Sequence, residues 1–385
     1  MMKAPQRHLH FGNAQLPDRL LAFRQEIREF LETEREAGTW EPNPSSWGAY
    51  NQDLTRKMGE RGWIGLTWPK EYGGAERSYL DRYVLTEELL AAGAPAGAHW
   101  VADRQSGPLI LNFGTEHQKQ TFLPPITRGE SYFCIGMSEP DSGSDLASIR
   151  SRATKVDGGY RLSGTKIWTS WAHNANYIIT LCRTEAPSDN RHAGMSQLVV
   201  DLASDGIQMS GITNIAGQRS FNEIVFDEVF VPDDCLLGEE GNGWAQCTSE
   251  LAYERSGPER FLTNFLLFRR LLEAVGDRGG DLVAVEVGRI TSRIWALRQM
   301  AISVASMLEA GESPVIEASF IKDLGTALQQ ELPELARLIA DAGGTDDPEL
   351  AAAMQEALLV SPAYTIQGGT TEILRGIIAR GLKLR

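Results

Sequence analysis

The chain has 385 residues, long enough for about two or three domains, each with its own apolar interior. Hydrophobic residues at 42% and charged ones at 23% exclude a wholly disordered or collagen-like protein. The formal charge of -14, with 51 acidic against 37 basic residues and no long Lys/Arg run, excludes the electrostatic footprint of a nucleic-acid binder.

The opening "MMKAPQRHLHFGNAQL" lacks the apolar core of a secretory signal, and no later stretch approaches the ~20 apolar residues of a membrane span. Cys134, Cys182, Cys235 and Cys247 form no C-x-x-C pair and are too sparse for a disulfide framework. A soluble cytoplasmic protein is the expectation. The scattered histidines show no metal-ligand spacing, so no metal is assigned.

In chain order, "DRLLAFRQEIREFLETERE" repeats apolar residues at Leu20, Phe23, Ile27, Phe30 and Leu31, a spacing that predicts a helix with one core-facing side. "SYLDRYVLTEELLAAG" predicts another. Between them, "RGWIGLTWPKEYGG" is dense in Gly, Pro and Trp and reads as a structured loop. From about Ser131 to Leu237 the pattern changes to short β-branched or aromatic runs: "GGYRLSGTKIWTS", "NYIITLCRT", "MSQLVVDL" and "NEIVFDEVFV". Split by Gly, Asn and Asp, they predict a compact antiparallel β domain. After "GEEGNGW" the helical period returns in about four successive helices, a bundle by length and period. The expected division is an N-terminal helical domain at 1–130, a β domain at 131–238 and a helical bundle at 239–385.

Two segments have the composition of ligand-binding turns. "CIGMSEPDSGSDLAS", Cys134 to Ser148, leaves backbone N–H groups and small hydroxyls open to a phosphate or a flat heterocycle, although a plain polar turn would have the same composition. "YTIQGGTTEILR", Tyr364 to Arg375, places two glycines before Thr370 and Thr371, either of which can cap a helix whose free N–H groups favour an anion.

Together with "WPKEYGG", "FGTEHQKQTFLPPITRGE" and "GTKIWTS", these segments resemble the acyl-CoA dehydrogenase family, with the motifs in the family's order over nearly the whole chain. Within the family the chain resembles a bacterial subgroup ending in "GGTTEILRGIIARGLKLR". The resemblance implies an α+β fold in three domains: helical N-terminal domain, middle β barrel and C-terminal four-helix bundle, with FAD between the barrel and the C-terminal helices. It implies removal of the α proton of an acyl-CoA thioester by a carboxylate while the β hydride passes to flavin N5. A trans-2-enoyl-CoA results, and an electron-transfer flavoprotein takes the electrons.

Carried over by position, Met137 and Ser138 match residues at the flavin pyrimidine ring, and Ser144 one near the FAD pyrophosphate. Trp168 matches the tryptophan that covers the isoalloxazine, Ser170 the hydroxyl residue at N5, and Thr370 and Glu372 fall in the turn that contacts FAD and the thioester. Many members carry the catalytic glutamate just before the G-T of that turn, where this chain has Gly368. Glycine accepts no proton, but its backbone N–H can still meet the thioester carbonyl and stabilise the enolate.

Other members place the glutamate on the first long C-terminal helix, directly before an arginine. Here "SELAYERSGPERF" supplies Glu254 followed by Arg255, which the resemblance places where it orients the carboxylate or meets substrate. Glu250 lies one helical turn earlier on the same face, whereas Glu259 is rotated about 140° from Glu254 on a continuous helix, which favours a structural role. An exposed Glu–Arg pair would otherwise be a solvated surface pair.

The family's cross-subunit R-x-x-F-G and Q-x-x-G-G motifs are replaced by "RRLLEAVGDRGGDLVAV" and "LIADAGGTDDPEL". A homodimer or homotetramer is therefore expected alongside a heterotetramer whose partner supplies the base. A flavin oxidase or monooxygenase of the same fold is the remaining alternative.

Overall fold

The computed structural model describes residues 9–12, 15–186, 188–255 and 257–384, the side chains of 249–254 excepted. The helices α1 (Arg19–Glu36), α2 (Gln52–Glu60), α3 (Tyr79–Ala92), α4 (Gly97–Val101), α5 (Gly107–Phe113) and α6 (Glu116–Thr127) come first. The strands β1 (Phe133–Gly136), β2 (Arg152–Val156), β3 (Gly159–Ser170), β4 (Tyr177–Arg183), β5 (Met195–Asp201), β6 (Ile207–Ile212), β7 (Phe221–Pro232) and β8 (Leu236–Leu237) follow. Then come α7 (Gly243–Glu254), α8 (Glu259–Leu262), α9 (Phe265–Val275), α10 (Gly280–Glu309), α11 (Val315–Ala342), α12 (Pro348–Val360) and α13 (Thr371–Gly381). The order helices, strands, helices is the one that the periodicity predicts.

Packing groups these elements into two compact units that cut across chain order. One unit is built from Met1–Ala49, Ser78–Pro95 and Ala252–Arg385, so that α1 and α3 join the C-terminal helices. The five apolar residues of α1 named above are all buried. Beside them, Arg24 and Arg298 converge on the buried carboxylate of Glu87, at 2.6 Å each. Arg24 also pairs with Glu88, which Arg28 meets at 2.6 Å. One apolar cluster takes Leu271 and Val275 from α9, Ile290 from α10, Leu332 and Ile339 from α11 and Ala353 from α12, the four-helix core of the bundle.

The other unit, Tyr50–Arg77 with Ala96–Leu251, holds the strands and the remaining N-terminal helices. Its eight-stranded sheet runs β6-β7-β3-β2-β4-β5-β8, with β1 beside β4. Most pairs are antiparallel, but β1 and β4 run parallel, Phe133 opposite Tyr177, which amends the expectation of a purely antiparallel domain. A long return through β2 and β3 separates those two strands in sequence, and such a connection permits a parallel pair where a hairpin does not. Leu162, Ile178, Leu198, Ile224 and Val229 fill the core of this sheet.

The helix expected to run on through "SELAYERSGPERF" breaks after Glu254 and resumes as the short α8 at Glu259. Pro258 has no N–H to continue the helical ladder, and Gly257 before it costs backbone entropy in a helix. Glu259 therefore does not share a helix with Glu254, and its direction is not fixed by a rotation of about 140° from it. Glu259 is instead buried, its Oε1 3.8 Å from Arg260 Nε.

Candidate active site

In the sheet unit, β3 carries an irregularity where the register against β7 shifts between Lys166 and Thr169. Trp168, within that shift, has φ of +61°, a conformation that a bulky side chain adopts only where its surroundings impose it. The residue is 57% exposed, with Phe221 meeting its indole edge-on at 6.2 Å. Ser170 closes the strand half-buried, and between the two Thr169 is buried with its Oγ1 lacking a partner among the described residues. On the far flank, Asn222 donates from Nδ2 to the Thr169 carbonyl at 3.1 Å and contacts His173 Nδ1 at 3.1 Å.

The segment after β1 lies against this bulge. Ile167 N–H donates to the Ser138 carbonyl at 3.0 Å. Lys166 is fully buried, and its Nζ donates to the Met137 carbonyl at 3.0 Å and to Glu139 Oε1 at 2.8 Å. Glu139 also accepts from the backbone N–H groups of Arg150, at 2.6 Å, and Ser151, at 2.9 Å. Burial alone would raise its pKa, but the Lys166 ammonium and these donors hold it below the usual carboxylate range. Met137 packs with Leu146 and Trp244 on a small cluster of Ile149, Leu181, Met195 and Cys247. Met137 and Ser138 are thus half-buried and backed by the protein, while Ser144 is exposed. The hydroxyls of Ser138, Ser144 and Ser170 bond to no described residue.

These residues fit a flat, hydrogen-bonding ring system. An indole held in a strained, open position offers a stacking face, and the unpartnered hydroxyls of Ser138 and Ser170 lie on the two segments that the Ile167–Ser138 bond joins. The chemistry of that donor set suits the isoalloxazine of FAD.

In the helical unit, the closing turn has Gly368 at φ +65° and Gly369 at φ +104°, both in the left-handed region that favours glycine. Thr370 is the cap of α13, its Oγ1 accepting from Ile373 N–H at 3.3 Å, as one of the two threonines was expected to be. Glu372 is exposed in the first turn, its carboxyl held below the usual range by its own backbone N–H and by Thr370. Two buried cations grip the turn from below. Arg255 Nε donates to the Gly368 carbonyl at 3.0 Å, and Lys322 Nζ to the carbonyls of Gly369 at 2.9 Å and Tyr364 at 3.2 Å. Tyr364 is fixed in turn by its hydroxyl donating to Asn264 Oδ1 at 3.0 Å. The Gly368 N–H has no partner among the described residues, so it is available to an outside acceptor.

The side chains of Glu254 and Glu250 lie outside the described residues. Glu254 is nonetheless the last residue of α7, and its chain neighbour Arg255 is bonded to residue 368. The structure thus brings the Glu–Arg step to the turn across 113 positions of sequence. Lys166, Glu139, Asn222 and Lys322 are absent from the sequence reading. Alternation along β3 carries a signal for one of them: Leu162 faces inward, and Lys166, four residues on, is an inward lysine that demands a partner.

The chain matches the acyl-CoA dehydrogenase N-terminal domain over residues 17–130, the middle domain over 134–229 and the C-terminal domain over 241–383. Acyl-CoA dehydrogenase FadE26 of Mycobacterium tuberculosis is 31% identical over 93% of this chain and 96% of its own length. Acyl-CoA dehydrogenase FadE34 of the same organism is 32% identical over 84% of this chain, which spans only 45% of that longer protein. Among solved structures, the Tcur3481-Tcur3483 steroid ACAD is 29% identical with a TM-score of 0.83, over 96% of this chain and 98% of that one. The ChsE4-ChsE5 complex of Mycobacterium tuberculosis is 29% identical with a TM-score of 0.82, over 96% and 98%. With its three domains matched in order and its fold shared with such structures over nearly their whole length, the chain belongs to the acyl-CoA dehydrogenase family.

Proposed function

We propose that this chain catalyses the α,β-dehydrogenation of an acyl-CoA thioester with FAD as cofactor, using Glu254 as the base. The observation that carries the reading is the bond from Arg255 to the Gly368 carbonyl. It ties the Glu–Arg step to the turn where many family members carry their glutamate, so the loss of a carboxylate at 368 and its presence at 254 concern one locality.

Met137, Ser138, Trp168 and Ser170 would hold the flavin ring, and Ser144, Thr370 and Glu372 other parts of FAD, which when bound supplies the acceptor for the β hydride. A thioester α C–H is a weak acid, so a carboxylate must be placed within hydrogen-bond reach and charge developing on the carbonyl oxygen must meet preorganised donors. Glu254 takes the α proton in this reading. The Gly368 N–H, pinned from behind by Arg255 and Lys322, is the donor for the carbonyl oxygen. Water is excluded on the turn's inner side by Leu374 and Tyr364, both buried. The product is a trans-2-enoyl-CoA, and an electron-transfer flavoprotein is the electron acceptor.

The steroid ACAD among the similar structures supports a ring-bearing acyl group over a simple fatty chain. Glu254→Gln is expected to retain FAD and lose turnover on the order of 10²–10⁴-fold, measured by flavin bleaching with a panel of acyl-CoAs. A near wild-type rate would move the base to Glu250 or to a partner subunit. That second reading, a subunit of a heteromeric enzyme, is favoured by the replaced cross-subunit motifs and by the two-component ChsE4-ChsE5 complex. A purified chain that is yellow and bleaches alone would dismiss it.

A further inference from the structure

The ion pair of Lys166 and Glu139 contacts both segments assigned to the flavin ring. One ammonium reaches the Met137 carbonyl at 3.0 Å and Glu139 Oε1 at 2.8 Å. The same residue sits two positions before Trp168, at the start of the register shift. Glu139 extends the connection by accepting from Arg150 and Ser151, so its carboxylate also closes the loop that carries Ser144. The aliphatic stem is gripped as well: a Cβ on Gly136 would lie 3.2 Å from Lys166 Cγ and 2.7 Å from Ile178 Cδ1.

Stability does not account for this arrangement. A buried ion pair is often no more stabilising than apolar side chains of similar volume, because both charges lose their hydration. What the pair supplies is geometry. The left-handed conformation of Trp168 needs surroundings that over-determine it, and fixed distances to two carbonyl and carboxylate acceptors provide them on one flank while Asn222 does so on the other.

We propose that Lys166, through its pair with Glu139, is the positioning residue that fixes Trp168 relative to the Met137–Ser138 step. The flavin-facing surface is then set before any ring binds. The proposal rests on the FAD reading above only for the identity of the ring; the positioning itself concerns this chain's own residues.

The test uses the full-length protein labelled with 5-fluorotryptophan, in which Trp168 is one of nine tryptophans and its fluorine line is identified with Trp168→Phe. Lys166→Met leaves Glu139 buried without its partner and is expected to lower stability. The double variant Lys166→Met with Glu139→Gln removes that burden and is expected to regain thermal stability. It should nevertheless keep a shifted or broadened Trp168 line while the others stay in place, and bind FAD about tenfold or more weakly. A double variant with the wild-type Trp168 line and wild-type FAD affinity would reduce the pair to a structural element and overturn the inference. A wild-type chain that takes up no FAD would refute the functional reading instead, and the Trp168 line, recorded without flavin, would still decide this one.

Discussion

Position 368 gives the sharpest quantitative test of the proposed site. At φ +65° the Gly368 backbone is in the left-handed region, where an L side chain costs about 1–2 kcal/mol. Gly368→Ala therefore sets that strain against the two bonds that hold the turn, from Arg255 Nε at 3.0 Å and Lys322 Nζ at 2.9 Å. The donor N–H moves with the turn, so the fraction of molecules presenting it correctly, and with it kcat/KM, should fall by about 5–30-fold. Asparagine tolerates the left-handed region better, and Gly368→Asn should fall between alanine and wild type. Steady-state kinetics with an acyl-CoA and a dye acceptor measure the effect, with FAD content checked in the same samples. An alanine variant at full rate, or an asparagine variant as impaired as alanine, would refute the claim that backbone geometry at 368 governs the reaction.

Two further predictions concern buried charge. Burial pushes the His99 imidazole down to about 4 from an ordinary 6.5, with Thr55 Oγ1 3.0 Å from its Nδ1. The unfolded chain binds a proton between those values and the folded chain does not, so stability is full above the upper value and declines as pH falls toward the lower. His99→Gln should flatten the difference in urea midpoint between about pH 7 and about pH 5; an unchanged slope would contradict the assignment. For Glu87, burial raises the pKa, but Arg298 and Arg24 more than reverse it, so its contribution is present above the ordinary carboxylate value and lost as pH falls through the lower folded one. Glu87→Gln should cost about 3–5 kcal/mol in urea unfolding near neutral pH, and a loss under about 1 kcal/mol would show that the arginines find other partners.

What the sequence discloses of this protein follows the range of the interactions involved. The stripe of Leu20, Phe23, Ile27, Phe30 and Leu31 is legible because one helix face needs only its own periodicity to be recognised. So is the turn at 368, whose glycines announce a backbone that other residues resist. The break at Gly257 and Pro258 also has local causes, yet the strength of the flanking apolar period masks it. The grip of Arg255 on Gly368 has no local signature at all, since 113 positions separate the two. Nor does the parallel pairing of β1 with β4, which depends on where the intervening strands carry the chain. Strand β6 escapes notice because it is short and none of its residues is fully buried, although Ile207 and Met209 alternate with Gln208 and Ser210.

The make-up of the helical unit also dictates an order of events during synthesis. The sheet unit ends at Leu251 and is complete in a nascent chain that has not yet reached α8. The helical unit cannot be completed then, because α1 and α3 are made early while the rest of the unit is the last third of the chain. Glu87 waits 211 residues for Arg298, with Arg24 and, less directly, Arg28 of α1 to offset its charge in the meantime. Until α10 emerges, the inner faces of α1 and α3 are an exposed apolar surface carrying buried-type carboxylates. The intermediate expected during synthesis is therefore a finished sheet unit with an unfinished pair of helices beside it in sequence, and those helices are where its exposed apolar surface would lie.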